Sequence, residues 1–168
     1  MELIEINESE FDNIYTQMQN NFILEECRDY IDAKAVLKNE EYKIFHVREN
    51  GQNIGFISIW NLQDFAFIEH FVIYGKYRNL GYGSIALDKV KQAFKNLVLE
   101  VELPEAEIAK RRIGFYVRNG FVNNEKEYYQ PSYRKGGDGV YLTLMSYPNK
   151  ISDFEKTKEK LYKRVYNK

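Results

Sequence analysis

The chain has a single cysteine, Cys27, among its 168 residues. An intramolecular disulfide is therefore impossible, and no metal cluster can be assembled from thiolates. A charge excess is missing too: 24 Lys and Arg stand against 25 Asp and Glu, a formal net charge of −1. Composition thus offers no electrostatic attraction to nucleic acid or to an anionic membrane. No apolar run approaches the ~18 residues needed to span a bilayer. The opening Met-Glu-Leu-Ile-Glu-Ile has neither the basic nor the apolar region of a secretory signal. Repeats, linkers and low-complexity segments are absent. The expectation is a cytoplasmic protein, monomer or homodimer, with no nucleic-acid partner, no membrane and no bound metal. Its length fits one domain, residues 1–168, large enough to bury a real core.

What is present in quantity is aromatic: 14 Tyr and 11 Phe, enough to line a core or a cleft. Leu3, Ile4 and Ile6 begin as a strand. Ser9-Glu-Phe-Asp12 then introduces a helix carrying Phe11, Ile14, Tyr15 and Met18 at helical spacing. A second helix is expected from about Leu24 to Lys38, with Asn21, Phe22, Glu25, Glu26 and Arg28 either edging a cleft or forming a mobile connector. Tyr42–Val47 and Ile54–Trp60 read as a hairpin turning at Glu49-Asn50-Gly51-Gln52, and Phe65–Ile73 follows as the next strand. In Leu97–Leu103, alternation puts Leu97, Leu99, Val101 and Leu103 on one face, with Val98, Glu100 and Glu102 on the other. A helix from about Glu105 to Asn119, a hairpin of Phe121–Tyr129 with Val140–Tyr147, and a charged helix at about 153–166 complete the chain.

The stretch from Glu69 to Val90 organises these elements. Phe71, Val72 and Ile73 end a strand, Gly75 turns the chain, and Arg78-Asn79-Leu80-Gly81-Tyr82-Gly83-Ser84 runs into a helical pattern of Ile85, Ala86, Leu87 and Val90. Main-chain N–H groups at a helix start lack intrahelical partners, and the helix dipole adds positive potential there. Glycines at 81 and 83 admit a bulky anion, and Arg78 can add a charged contact. A pyrophosphate fits this arrangement. An ordinary strand-to-helix turn with a solvated arginine would carry the same residues. The dinucleotide fingerprint is not matched, since Ala86 stands at its third glycine and no parallel βαβαβ half surrounds the loop.

This R-x-x-G-x-G loop resembles the acetyl-CoA loop of the GNAT superfamily of N-acetyltransferases. A second block, Phe115-Tyr116-Val-Arg-Asn-Gly120-Phe121, resembles the later helix of that family, ending in F-Y-x-x-x-G-F. The resemblance runs from about Leu3 to Tyr147 in element order. It implies an α/β (α+β type) fold: a mixed, mostly antiparallel central sheet flanked by helices, with the fourth and fifth strands splayed. The pantetheine arm of acetyl-CoA would lie between them against Phe71, Val72 and Ile73, and the pyrophosphate against Arg78 to Ser84. The implied activity is acetyl transfer from acetyl-CoA, as cosubstrate, to a primary amine within a ternary complex.

For that chemistry the resemblance marks Tyr116 as the group facing the CoA sulfur. Glu69 and Glu100 hold positions where relatives keep the base that deprotonates the amine. Glu102 is a third carboxylate on the same strands. His70, beside Glu69, is expected on the opposite strand face as a packed or hydrogen-bonded side chain. The family's asparagine contact to CoA is replaced by Ala109, leaving Arg111 or Arg112 to supply it or simply to face solvent. Cys27 has no histidine near it in sequence and is not expected to carry an acyl group. Glutamates near the cleft favour a small cationic amine as acceptor. The alternatives are a protein N-terminus or lysine as acceptor, or a CoA-binding module without turnover.

Overall fold

Asn50 and Gly51 both take positive φ, 48° and 78°, the backbone that a tight hairpin demands. Their turn joins β2 (Tyr42–Glu49) to β3 (Gln52–Asn61) in the computed structural model, which describes residues 1–168. β1 (Glu2–Glu5) pairs with β2, and β4 (Ala66–Ile73) with β3, all antiparallel. β5 (Leu97–Glu102) lies parallel to β4. Beyond it, β8 (Val140–Tyr147) runs antiparallel to β5 and carries the short strands β6 (Val122–Asn123) and β7 (Tyr128–Gln130). The result is an eight-stranded, mostly antiparallel sheet with one parallel pair at its centre.

Helices cover both faces. Phe11, Ile14 and Met18 of α1 (Phe11–Asn21), Ala33 of α2 (Tyr30–Val36) and Phe154 and Leu161 of α5 (Phe154–Arg164) bury against Ile44, Phe56, Trp60, Phe67, Val98 and Leu144. On the other face, Leu87 and Val90 of α3 (Tyr82–Ala93) and Tyr116 of α4 (Glu107–Arg118) pack on Ile57, Ile59, Ile68, Leu97, Leu99 and Val101. The alternation read along β5 therefore holds, with Val98 on the first face and Leu97, Leu99 and Val101 on the second. No helix is long and apolar enough to cross a membrane.

Two expected elements are shorter than the sequence pattern suggests. Leu24–Glu26 is a single 3-10 turn rather than the start of a long helix; α2 begins only at Tyr30, where Asp29 caps it by accepting from the Asp32 N–H at 2.9 Å. Phe121–Tyr129 is broken into β6 and β7. Between them Asn124 donates to the Leu144 carbonyl from both its backbone N–H, at 3.1 Å, and its side-chain amide, at 2.9 Å.

The pairing of β4 and β5 leaves an opening in the sheet. Only Ala66, Phe67 and Ile68 pair with Leu97, Val98 and Leu99. From Glu69 and Glu100 onward the strands part, while β5 stays paired with β8 as far as Glu102. The register of β3 and β4 slips at the same point: Ser58 faces His70 and Ile59 faces Ile68, so Glu69 is an extra, bulged residue. Strict alternation fails there. His70 and Glu69 turn to the same face, with His70 Nδ1 3.4 Å from Glu69 Oε2, which corrects the opposite-face expectation for His70.

Candidate active site

The gap between β4 and β5 opens into a cleft of about 700 Å³. Its walls bring together most of the residues singled out in the sequence: Glu69, Phe71, Val72 and Ile73 from β4, Glu100 and Glu102 from β5, and Tyr116 from α4. Arg78, Asn79, Gly81, Gly83 and Ser84 form one end of it. Leu80 and Tyr82 do not line it; Leu80 is exposed, and the Tyr82 ring packs edge-on against Tyr77 with centroids 6.4 Å apart.

At the loop end, Asn79 and Gly81 adopt φ of 63° and 81°. Gly81 is the N-cap of α3, and a Cβ there would meet nothing within 4 Å. Its glycine is required by backbone conformation, not by crowding. The next N–H groups, of Tyr82 and Gly83, precede the first intrahelical bonds, which begin with Ser84 donating to the Gly81 carbonyl at 3.1 Å. Gly83 differs. A Cβ on it would stand 3.1 Å from Phe115 Cζ and 3.3 Å from Cε2, so the two sequence blocks meet in direct packing. Arg78 is exposed and folds back, donating to the Ile73 carbonyl at 2.8 Å and to Asn21 at 2.7 Å. It braces the loop against the end of β4.

The loop N–H groups, the open face at Gly81 and the unpaired edge of β4 fit a long anionic ligand with amide groups along its length. Arg112 is engaged in an ion pair with Glu102. Arg111, exposed on the same helix, lines the cleft beside it. Of the segment before α2, Asn21, Phe22 and Glu26 line the cleft, whereas Arg28 is buried behind Glu69.

The two candidate bases have opposite surroundings. Glu69 Oε1 accepts from Arg28 at 2.6 Å, from Trp60 Nε1 at 3.1 Å and from Tyr133 at 3.1 Å. Burial would raise its carboxyl, but Arg28 and the neighbouring His70 outweigh it and hold Glu69 far below the usual carboxylate range. It keeps its charge and is a poor proton acceptor. Glu100 has no cation. Tyr166 places its hydroxyl 2.7 Å from both carboxylate oxygens, and Tyr128 donates to Oε1. Burial pushes Glu100 up to about 7; the two phenols act to lower it, and Glu69 and Glu26 add to the rise.

Tyr116 sits between the rings of Phe115 and Phe121, with centroids 5.2 and 5.5 Å away. Burial pushes its phenol up to about 12, so it is a hydrogen-bond donor across the working pH range. Nearby, His70 lies 3.0 Å from Ser58 Oγ through Nδ1 and 3.2 Å from the Glu26 carbonyl through Nε2. Burial opposes its charge, but Cys27 and Glu69 prevail and raise it to about 9. The fold thus brings a histidine beside Cys27, which sequence distance concealed. Cys27 itself is buried outside the cleft lining.

Arg28, Trp60, Tyr128, Tyr133 and Tyr166 complete the site. Nothing in the sequence sets these three tyrosines apart from the other eleven, because their role depends on which carboxylate each one meets. No group of three or more His, Cys, Asp or Glu side chains is placed to hold a metal ion.

The profile of the acetyltransferase (GNAT) family matches residues 3–121. Among solved structures, a GNAT-family protein from Bacteroides thetaiotaomicron superposes with a TM-score of 0.92 at 32% identity, covering 100% of this chain and 99% of its own. The ribosomal-protein-S18-alanine N-acetyltransferase of Escherichia coli gives 0.62 at 19% identity, over 91% of this chain and 96% of its own. A spermidine N-acetyltransferase chimera from Vibrio cholerae and human sequences gives 0.63 at 13%, over 87% and 94%. The latter two show a shared fold alone. No curated protein matches the chain in sequence.

Proposed function

Since the chain belongs to the acetyltransferase (GNAT) family and is an acyltransferase, we propose that it moves the acetyl group of acetyl-CoA directly to a primary amine of a small cationic molecule. The proposal covers residues 1–168 as one cytoplasmic catalytic domain. One observation carries it: Glu100, a carboxyl whose proton affinity is pushed to about 7, faces the same cleft as Tyr116.

The bound thioester supplies the acetyl group. The edge of Phe71–Ile73 that β5 leaves uncovered holds the pantetheine amides, and the N–H groups from Gly81 to Gly83, in the loop that Arg78 braces, hold the phosphates. Arg111 is the free arginine for the contact that the family's asparagine makes. The acceptor arrives as an ammonium, since an alkyl amine titrates near ~10.4. Glu100 takes its proton, as a base matched to neutral pH. Glu69 stays ionised and orders Arg28, Trp60 and Tyr133, a positioning role in place of proton abstraction. Tyr116 donates a hydrogen bond to the departing thiolate. With the phenol at about 12 and a thiol near ~8.5, complete proton transfer to sulfur is uphill, so stabilisation by a hydrogen bond is the role that fits.

Of the carboxylates that line the cleft, Glu69 is paired with Arg28 and Glu102 with Arg112; Glu26 and Glu100, which have no ion-pair partner, support a cationic acceptor. The test is acetyl transfer to a panel of mono- and diamines and of peptides with free N-termini or lysines, with Glu100→Gln as control. Turnover on small amines, lost by ~10²-fold or more in Glu100→Gln, is the expected result. Preference for peptides would replace the small-molecule acceptor with a protein one.

A further inference from the structure

The end of α5 reaches into the site from 66 residues beyond Glu100, in a part of the chain that the family profile does not cover. Lys160 anchors this helix through the Leu62 carbonyl at 2.9 Å and Asp64 at 2.7 Å, and Leu161 buries completely. The two residues that follow Arg164 then touch both carboxylate systems. The Val165 carbonyl accepts from Arg28 at 2.8 Å, the same guanidinium that pairs with Glu69. The Tyr166 hydroxyl lies 2.7 Å from each Glu100 oxygen. Tyr133 stands between them, its hydroxyl 3.1 Å from Glu69 Oε1 and 3.3 Å from Tyr166.

We propose that Tyr166 is a positioning residue: through its hydroxyl, the end of α5 holds the Glu100 carboxylate in the cleft and stabilises its charged form. The inference rests on the reading of Glu100 as the base. A tyrosine that merely filled the core would need no alignment of its hydroxyl with both oxygens. Here the phenol is buried against Tyr133, with ring centroids 4.7 Å apart, and its one polar atom is spent on Glu100 and Tyr133. A hydrogen bond given to an ionised carboxylate favours that form over the protonated one.

The other groups that face Glu100 act in fixed directions. Tyr128 of β7 also donates to it. Glu69 of β4 and Glu26 before α2 repel its charge. Tyr133 and Tyr162 complete the ring of phenols and, at neutral pH, carry no charge. Arg28 is neutralised by Glu69 and Arg112 by Glu102. Tyr166 and Tyr128 are therefore the two groups in contact with Glu100 that favour its ionisation.

The test is the titration of the Glu100 side-chain carboxyl in the free protein by 13C NMR with labelled glutamate, the resonance assigned by its loss in Glu100→Gln. Tyr166→Phe should raise the midpoint by about one pH unit, and the acid limb of kcat at saturating substrates should move up with it. 3-Fluorotyrosine at position 166 keeps the shape and makes a stronger donor, so it should shift the midpoint downward. An unmoved midpoint in both variants overturns the inference and leaves the base assignment standing. If Tyr166→Phe fails to fold, the fluorotyrosine shift alone decides. Unaltered turnover in Glu100→Gln overturns the base assignment instead, and with it the catalytic meaning of Tyr166.

Discussion

Arg28 and Glu69, 41 residues apart in sequence, meet at 2.6 Å with both side chains almost wholly buried. The guanidinium also lies 4.3 Å from the Tyr133 ring centroid and 5.6 Å from that of Trp60. This pair sorts the two candidate bases. Glu69, with a cation against it, is locked as an anion; Glu100, without one, can exchange a proton near neutrality.

Removing one partner should therefore cost far more than the pair contributes. Arg28→Met leaves a buried, uncompensated carboxylate, and a loss of ~3–5 kcal/mol is expected. The double variant Arg28→Met/Glu69→Gln should recover a large part of it. Urea unfolding of both variants against wild type checks this; a double variant no better than Arg28→Met would show that packing, not charge, dominates.

Gly83→Val should destabilise by ~1–3 kcal/mol through overpacking, because its side chain enters the space of the Phe115 ring. Acetyl-CoA affinity, read by calorimetry, should drop with it. Adding Phe115→Leu should restore part of the stability. Full stability in Gly83→Val would refute the steric reason.

Tyr116→Phe keeps the ring between Phe115 and Phe121, so stability should change little. A hydrogen bond that forms only as charge grows on sulfur affects turnover and not ground-state binding. Turnover should fall by roughly 10²-fold with acetyl-CoA affinity retained. Equal rates would remove Tyr116 from the mechanism.

Stability should also decline as the medium becomes alkaline. His70 titrates at about 9 in the fold against ~6.5 unfolded. A raised histidine contributes fully below its unfolded value, and that contribution is lost as pH rises through its folded one. Above about pH 7 the Glu100 titration is past its midpoint, so the fall from there to about 9 belongs chiefly to His70. Denaturation midpoints at intervals across this range should show it in wild type and not in His70→Gln.

The sequence by itself determined the parts that obey local rules. Period-two and period-3.6 patterns placed most strands and helices, because one face of each must be buried. The loop from Arg78 to Gly83 was legible because a left-handed backbone at Gly81 and a side-chain-free contact at Gly83 each demand glycine. Phe115 and Tyr116 were legible as a block only through the resemblance to the family's later helix, since no local rule separates Tyr116 from a core tyrosine. Only the tertiary structure decided the chemistry of the carboxylates. Glu69 and Glu100 look alike in their strands; a bulge turns Glu69 toward Arg28, while Glu100 meets two phenols from Tyr128 and Tyr166. Proton affinity depends on which charges and donors lie within a few ångströms. Those neighbours arrive from the far ends of the chain, and no spacing in the sequence records their approach.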